Sequence, residues 1–478
     1  MVARIKLPNK TYYYRPRMAA RLTVPLLGTR EQRIKQGAST ATITLEAVPK
    51  RVRIESNDHN HADTCEVTLD WYTAGVDPRM LDDAVVEVFV GQADEYGNWE
   101  GGNRLDCRFI GLMKECERSG GEDNPAEVRL SCVDYTTLFL EARPFGSEGI
   151  PDLNMTLDAA WERICSSLRV DPNDKTSKSR VEVLKNRLVF EGIKGIPNLG
   201  KAVTERFRKT GKVQTKPQTD AWAVWQQCVG MLGLVSYIRL DECVVTTATN
   251  YYSSKGATPV VIYGLNVDRW SESRVSVMAK RGVSMTSYDP LTQKTIEAFW
   301  PPIGDESVNR KRSTAKKAAS SAEALVGEER DYFGWPGVQD QGTLLEIAKR
   351  VWEERSRQEL AGTFSTHDME IPTESGGVAE AMAIRAGEDI VVDVEPENRM
   401  LLSSLQSGTE RINYLLSRGY TRGAARLIVA NMSQFGELSC KFQVKRASTT
   451  LEVSEDSGEF TVEVEYCNRI EIDGSAKA

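Results

Sequence analysis

Three histidines occur among the 478 residues, and two of them stand together in the run His59-Asn60-His61-Ala62-Asp63-Thr64-Cys65. Imidazoles two residues apart with a carboxylate beside them would chelate zinc, and the carboxylate would orient an attacking water. The run matches the first part of a His-x-His-x-Asp-His pattern, but Thr64 stands where the last histidine belongs. Only His367 is left to supply the downstream ligands that such a hydrolase requires. A turn ahead of a strand is the simpler reading of the same residues.

A second candidate is Gly195-Ile196-Pro197-Asn198-Leu199-Gly200-Lys201, which keeps phosphate-loop spacing as far as its lysine. Ala202 replaces the hydroxyl residue that would hold Mg²⁺, and Pro197 removes one amide from the phosphate cradle. An ordinary helix start at Pro197-Asn198 accounts for the run. A third is Ser417-Arg418-Gly419-Tyr420-Thr421-Arg422, where two short helices, Thr409–Ser417 and Arg422–Ser433, have helix-turn-helix spacing and basic flanks at Arg411 and Arg426. Its second helix is apolar over Ala424–Ala430, which marks a packed hairpin and not a DNA reader. The basic run Asn309–Lys317 reads as an exposed loop. There is no Gly-x-Ser-x-Gly, and three histidines with scattered carboxylates assemble no acid–base set.

The expectation is therefore a chain with no catalytic, cofactor-binding or metal-ligating residues. Two alternatives stand beside it. One is a metal- or nucleotide-dependent hydrolase built on His59, His61 and Asp63 or on Gly195–Lys201. The other is a host-envelope binding module, for which only the β content and nine tryptophans speak.

The elements that would position these residues follow from periodicity. Ile43, Leu45 and Ala47 alternate with polar neighbours, as do Cys65, Val67, Leu69 and Trp71. Further alternating runs lie at Ala84–Val90, Leu105–Met113 and Glu127–Val133, separated by Gly-rich turns. A period of two with turn punctuation marks half-buried antiparallel strands. Helical faces follow at Met155–Leu168, near Asn198–Arg208 and at Thr219–Leu232, where Asp220 serves the N-terminus. Strands come next at Leu234–Leu240 and Cys243–Thr247. The β pattern returns from Tyr263, with strands at Arg274–Tyr288 and Thr295–Trp300. A helix is expected at Thr343–Glu359, with Thr343 and Glu346 as its capping box. Ile390, Val392 and Val394 mark another strand, and alternating runs at Leu438–Val444 and Phe460–Tyr466 end the chain.

Composition bounds the rest. Hydrophobic residues make up 40% and charged residues 27%, which excludes collagen-like and disordered classes. A net charge of −7 argues against coating nucleic acid or an anionic membrane. Charges interrupt the N-terminus, so no signal peptide is expected. The longest uncharged stretch, Ala221 to Ile238, contains Gln226, Gln227, Gly230 and Gly233, and reads as a helix running into a buried strand and not a membrane span. Nine cysteines without Cys-x-x-Cys spacing indicate core thiols in a chain made in a reducing cytoplasm, with Cys65, Cys107, Cys132 and Cys440 in apolar phase. The length allows about three domains. The expected division is a β block at 1–150, a small α/β domain at 151–262, a second β block at 263–400 carrying the basic loop and a helix, and a helical hairpin with closing strands at 401–478.

Four phrases in order carry a family resemblance. They are Asp106–Met113 with Ala126–Leu138; Ala221–Val235 running into Tyr263-Gly264-Leu265-Asn266; Arg281–Pro290 with Ala298–Pro301; and Ala383–Val392. Together they resemble the baseplate hub proteins of phage tails and related contractile injection systems, including late-control tail proteins and the hub part of secretion spikes. Glu388 is inserted where that family commonly runs directly from Gly to Asp. The resemblance implies a β-rich α+β fold with two tail-tube-like antiparallel β-barrels and α/β and helical insertions. It implies a structural role: a homotrimer forming a pseudo-six-fold ring between a hexameric tail tube and a separate trimeric spike. Tape-measure and baseplate-wedge proteins would be further neighbours, with nucleic acid only passing through the lumen. The place of such a protein is the tail baseplate of a virion or phage-like particle.

Overall fold

A computed structural model describes residues 16–25, 42–70, 81, 84–92, 106–120, 126–142, 149–168, 175–201, 212–213, 219–251, 258–274, 282–289, 294–300, 330–334, 341–356, 360–393, 407–419, 421–423, 425–426, 429, 441–453 and 458–468. The basic run at 309–317, Cys440 and most of the second hairpin helix lie outside the described residues.

Seven strands open the chain: β1 (Pro16–Pro25), β2 (Thr42–Ala47), β3 (Arg51–Ser56), β4 (Thr64–Asp70), β5 (Val85–Gln92), β6 (Asp106–Ser119) and β7 (Glu127–Asp134). They pair antiparallel in the order β2-β1-β5-β6-β7-β4-β3. Alternation puts Met18, Leu22, Val52, Val67, Val88 and Leu130 inside. The opposite face carries cross-strand ion pairs such as Arg129 with Glu66 at 2.7 Å.

A short helix, α1 (Thr137–Leu140), leads into an α/β unit. Its helices are α2 (Leu157–Ser167), α3 (Lys175–Asn186), α4 (Ala221–Met231) and α5 (Ala248–Tyr251). Its strands are β8 (Leu188–Glu191), β9 (Leu234–Arg239) and β10 (Glu242–Thr247), ordered β8-β10-β9. Asp220 caps α4 as expected, its Oδ1 accepting from the Ala223 amide at 2.7 Å. The stretch read as helix running into strand is α4 and β9. Among the described residues, no helix is long and apolar enough to cross a membrane.

The remaining elements are β11 (Val260–Ile262), β12 (Arg269–Arg274), β13 (Gly282–Asp289), β14 (Lys294–Trp300), β15 (Arg330–Gly334), α6 (Gln341–Ser356), β16 (Leu360–Thr366), β17 (Glu370–Pro372), β18 (Val378–Glu380), β19 (Asp389–Asp393), α7 (Gly408–Ser417), β20 (Lys441–Val453) and β21 (Gly458–Asn468). β12 and β16 are antiparallel partners, and a small lobe is inserted between them. In it β14-β13-β15 form a separate sheet covered by α6, with Val283, Met285 and Ala298 against Leu344 and Ala348. Of the strand expected at 274–288, Arg274 ends β12 in the large sheet, 275–281 lie outside the described residues, and 282–288 belong to β13 of this lobe; the strand expected at 295–300 is β14. α6 begins at Gln341, so Thr343 lies inside the helix and is not its cap. The capping box that does form is on α7, where Ser407 and Glu410 bond reciprocally.

β20 joins the two halves. Along one edge it pairs with β21; along the other it pairs first with β19, through Lys441–Gln443, and then with β3, through Ala447–Glu452. A bulge between Val444 and Arg446 marks the change of partner. The result is one 13-stranded sheet running β12-β16-β21-β20-β3-β4-β7-β6-β5-β1-β2, with β11 and β19 branching from β20. One hydrophobic core runs under it, from Met18 to Tyr466. The fold is thus mostly antiparallel β with few helices. Among the described residues the sheet does not close into a barrel.

Candidate functional site

Both motifs read from the sequence belong to turns that hold elements together. His59, His61 and Asp63 lie on the β3–β4 turn. His61 is exposed, its Nδ1 2.7 Å from Asp58 Oδ1. His59 is buried, its ring edge-on to Tyr251 at 5.3 Å and its carbonyl accepting from Gln226 Nε2 at 3.2 Å. The Asp63 carboxyl accepts from the Asn57 amide at 2.7 Å. The three do not converge: no group of three or more His, Cys, Asp or Glu among the described residues is placed to hold a metal ion. His367 sits on another part of the fold, bonded to the Phe460 carbonyl at 2.9 Å.

The phosphate-loop-like run is engaged with the start of α2. The Pro197 carbonyl accepts from the Leu157 amide, and the Leu199 amide donates to the Met155 carbonyl, both at 2.9 Å. The Gly200 amide donates to Asn198 Oδ1 at 2.7 Å. Two amides that a phosphate cradle would need are therefore already committed. At the start of the helix expected near Asn198–Arg208 the chain forms a 3₁₀ turn, Leu199–Lys201, and residues 202–208 lie outside the described residues.

The β3–β4 turn instead lines a cavity of about 340 Å³ where the first β block, the α/β unit and the second β block meet. Asp63 faces Asp134, the last residue of β7. The Asp63 amide donates to Asp134 Oδ2 at 3.1 Å, and the Asp134 amide donates to the Asp63 carbonyl at 3.0 Å. Asp134 Oδ1 also accepts from the Thr136 amide at 2.9 Å, which turns the chain into α1. Burial pushes the Asp134 carboxyl up to about 6 against these hydrogen bonds. Burial pushes the Asp63 carboxyl up to about 8, the Asp134 charge adding and the Asn57 amide and Arg385 opposing. Asp63 is half-buried as a residue, so water screens part of that push. Sequence reasoning singled out Asp63 but missed Asp134, whose role depends on a pairing across 71 positions.

A second feature is the pair of strands that end the large sheet. β12 exposes its residues from Arg269 to Ser273, and beside it Tyr263, Leu265 and Trp270 are 49%, 49% and 39% exposed. At the far end β2 exposes Ile43, and Val48 after it is 66% exposed. Among the described residues, each strand pairs on one side alone. Long edges with apolar side chains on show are where another chain adds strands.

No protein-family model matches the sequence, and no curated protein matches it. Among solved structures, the chain is similar to a tail protein from Neisseria meningitidis MC58, at 11% identity over 94% of this chain and 96% of that one, with a TM-score of 0.51. It is also similar to the 43 kDa tail protein of prophage MuSo2 from Shewanella oneidensis, at 10% identity over 95% and 99%, with a TM-score of 0.49. Prophage tail protein gp18 from Listeria monocytogenes EGD-e matches at 10% identity over 95% of each chain, with a TM-score of 0.40. The likeness to the Neisseria protein is one of fold.

Proposed function

We propose that this chain is a structural component of a phage-type tail, and that within the tail it is the baseplate hub. The observation that carries this reading is the large sheet: two β blocks fused through β3 and β20, sharing one core, with, among the described residues, an edge strand left open at each end. The end-to-end fold likeness to a tail protein supports it. Edges at opposite ends of one sheet suit head-to-tail addition of copies, and such addition gives a closed ring when the rotation between copies closes. Three copies with two β blocks each give six similar lobes, which match a six-fold tube on one face and a three-fold spike on the other. In this assembly each β block completes a tube-like barrel. The role is structural and not catalytic, and the protein sits in the tail of a virion or phage-like particle.

Solution mass measurement and electron microscopy of the purified chain test the reading. A trimeric ring with a central hole and six lobes is the expected result. Ile43→Lys and Trp270→Glu place charge on the two edges and are expected to reduce the ring to monomers with unchanged folding. A wild-type chain that stays monomeric at high concentration, and joins neither tube nor spike protein, overturns the reading.

A further inference from the structure

The junction cavity has a feature that assembly does not use. Asp63 and Asp134 occupy adjacent positions at the end of the β4–β7 ladder, one step beyond the Thr64–Val133 pair. Like charges directly opposite each other across a strand pair repel, and here burial removes much of the water that would screen them.

The other charged groups around the cavity are mostly spoken for. Arg108 on β6 is bound by Glu380 at 2.5 Å, and Arg239 on β9 by Glu191 and Glu242 at 2.7 and 2.8 Å. His61 is held by Asp58, whose carboxyl burial raises but whose His61 hydrogen bond, His59 charge and Asn60 amide together bring below its usual value. Tyr237 on β9 and Tyr251 on α5 pack on each other at 5.3 Å, and Tyr251 also faces His59. From the second β block come Glu388, which accepts from the Arg385 amide at 3.4 Å, and Arg385, the cation that acts on Asp63.

Several contacts tie the β3–β4 turn to its neighbours. Gln226 reaches the His59 carbonyl, Tyr251 meets the His59 ring, and the Ala386 amide donates to Ser56 Oγ at 3.5 Å. These contacts are anchored at Ser56 and His59, within a few residues of Asp63, so repulsion within the carboxyl pair acts on the segment that carries them.

We propose that Asp63 and Asp134 form a pH-sensitive latch: with a proton on the pair the β3–β4 turn stays fastened to the α/β unit and to residues 384–388, and with both carboxyls charged it loosens. The sign follows from linkage. Asp63 binds its proton more tightly in the folded chain than at the ordinary value of 3.8, so stability falls as pH rises from about 4 towards 8 and is level above that. Asp134 acts in the same direction over the lower part of that range. The latch is a property of one chain and stands or falls separately from the oligomer.

Hydrogen exchange of the full chain at pH 6 and pH 9, corrected for the chemical rate, reads the latch directly. Peptides covering 57–63 and 384–388 are expected to lose protection several-fold in the wild type at pH 9, while those of α4 keep theirs. Asp63→Asn retains an acceptor for the Asn57 amide but cannot ionise, and is expected to hold protection at both pH values. Equal wild-type protection at the two pH values, equal loss in the variant, or loss across α4 as well overturns the proposal. Should the variant fail to fold, difference infrared spectroscopy of the wild type decides. A protonated-carboxyl band present at pH 6 and gone at pH 9 supports the latch, and its absence at pH 6 overturns it.

Discussion

The core of the α/β unit and the junction cavity beside it are walled in part by the same helix, α4, yet they handle burial in opposite ways. In the unit's core, Trp161 stacks on Phe139 at 4.8 Å and meets Trp225 at 4.7 Å. Each of these indole N–H groups has an acceptor: Trp161 donates to the Leu184 carbonyl at 3.1 Å, and Trp225 to Ser236 Oγ at 2.8 Å. The space is filled by rings, and the nitrogens of these two indoles are paired. One helical turn away, Trp222 lines a void whose walls carry four carboxyls, Asp58, Asp63, Asp134 and Glu388, and three arginines, Arg108, Arg239 and Arg385. The first region is indifferent to conditions, because nothing in it titrates near neutrality. The second keeps volume and charge, so solution conditions reach it. A filled apolar core makes a rigid block; an incompletely filled polar one makes a joint between blocks.

The contrast is broken most strongly from the core side. Trp161→Ala removes the ring between Phe139 and Trp225, and a loss of about 3–5 kcal/mol is expected in denaturant titration. Next comes Gly387→Ala at the junction. Gly387 has φ +92°, and an added Cβ would lie 2.7 Å from the Tyr251 ring. The backbone conformation alone costs about 1–3 kcal/mol for a residue with a side chain. Adding Tyr251→Ala is expected to relieve the clash and leave that backbone cost in place, so the double variant recovers only part of the loss. The third effect is conditional. The melting temperature of Asp63→Asn should match the wild type near pH 4, rise above it as pH approaches 8, and hold that lead at higher pH. An offset that does not vary with pH would mean that the junction is as insensitive to conditions as the tryptophan core. Smallest is Arg446→Ala, which removes an ion pair with Glu465 at 2.9 Å on the half-exposed sheet face. About 0–1 kcal/mol is expected there, shrinking with added salt.

Elements with strong local periodicity were legible in the sequence. β4 alternates without a break, α2 buries Leu157, Ala160, Trp161 and Ile164 on one face, and Asp220 announces α4. Several elements carry weak local signals and were missed, and three of them show why. β1 lies between prolines and buries the small Ala20 among its inward residues. α3 is rich in Lys and Ser, so its apolar face is thin. β16 contains Gly362, which reads as a turn; its partner Tyr466 lays its ring over the glycine, at 2.2 Å from where a Cβ would stand. That contact joins residues far apart in the chain, and no window of sequence contains it. The same reason hid Asp134 and the branching of β20. The histidine run pointed to the right turn for the wrong chemistry: residue types were visible, and the partners that commit each side chain were not.

The pairing of β3 with β20 also sets a timetable for synthesis. Arg53 reaches Ser448 across 395 positions of chain. A ribosome adding about 5–20 residues per second needs on the order of 20–80 s to cover that span. Through that interval β3 has β4 on one side and an open hydrogen-bonding edge on the other. Arg51, Arg53 and Glu55 alternate along it, and charge on an exposed edge discourages pairing with strangers. The nascent first block thus waits, guarded by its own side chains, for a strand that has yet to be translated.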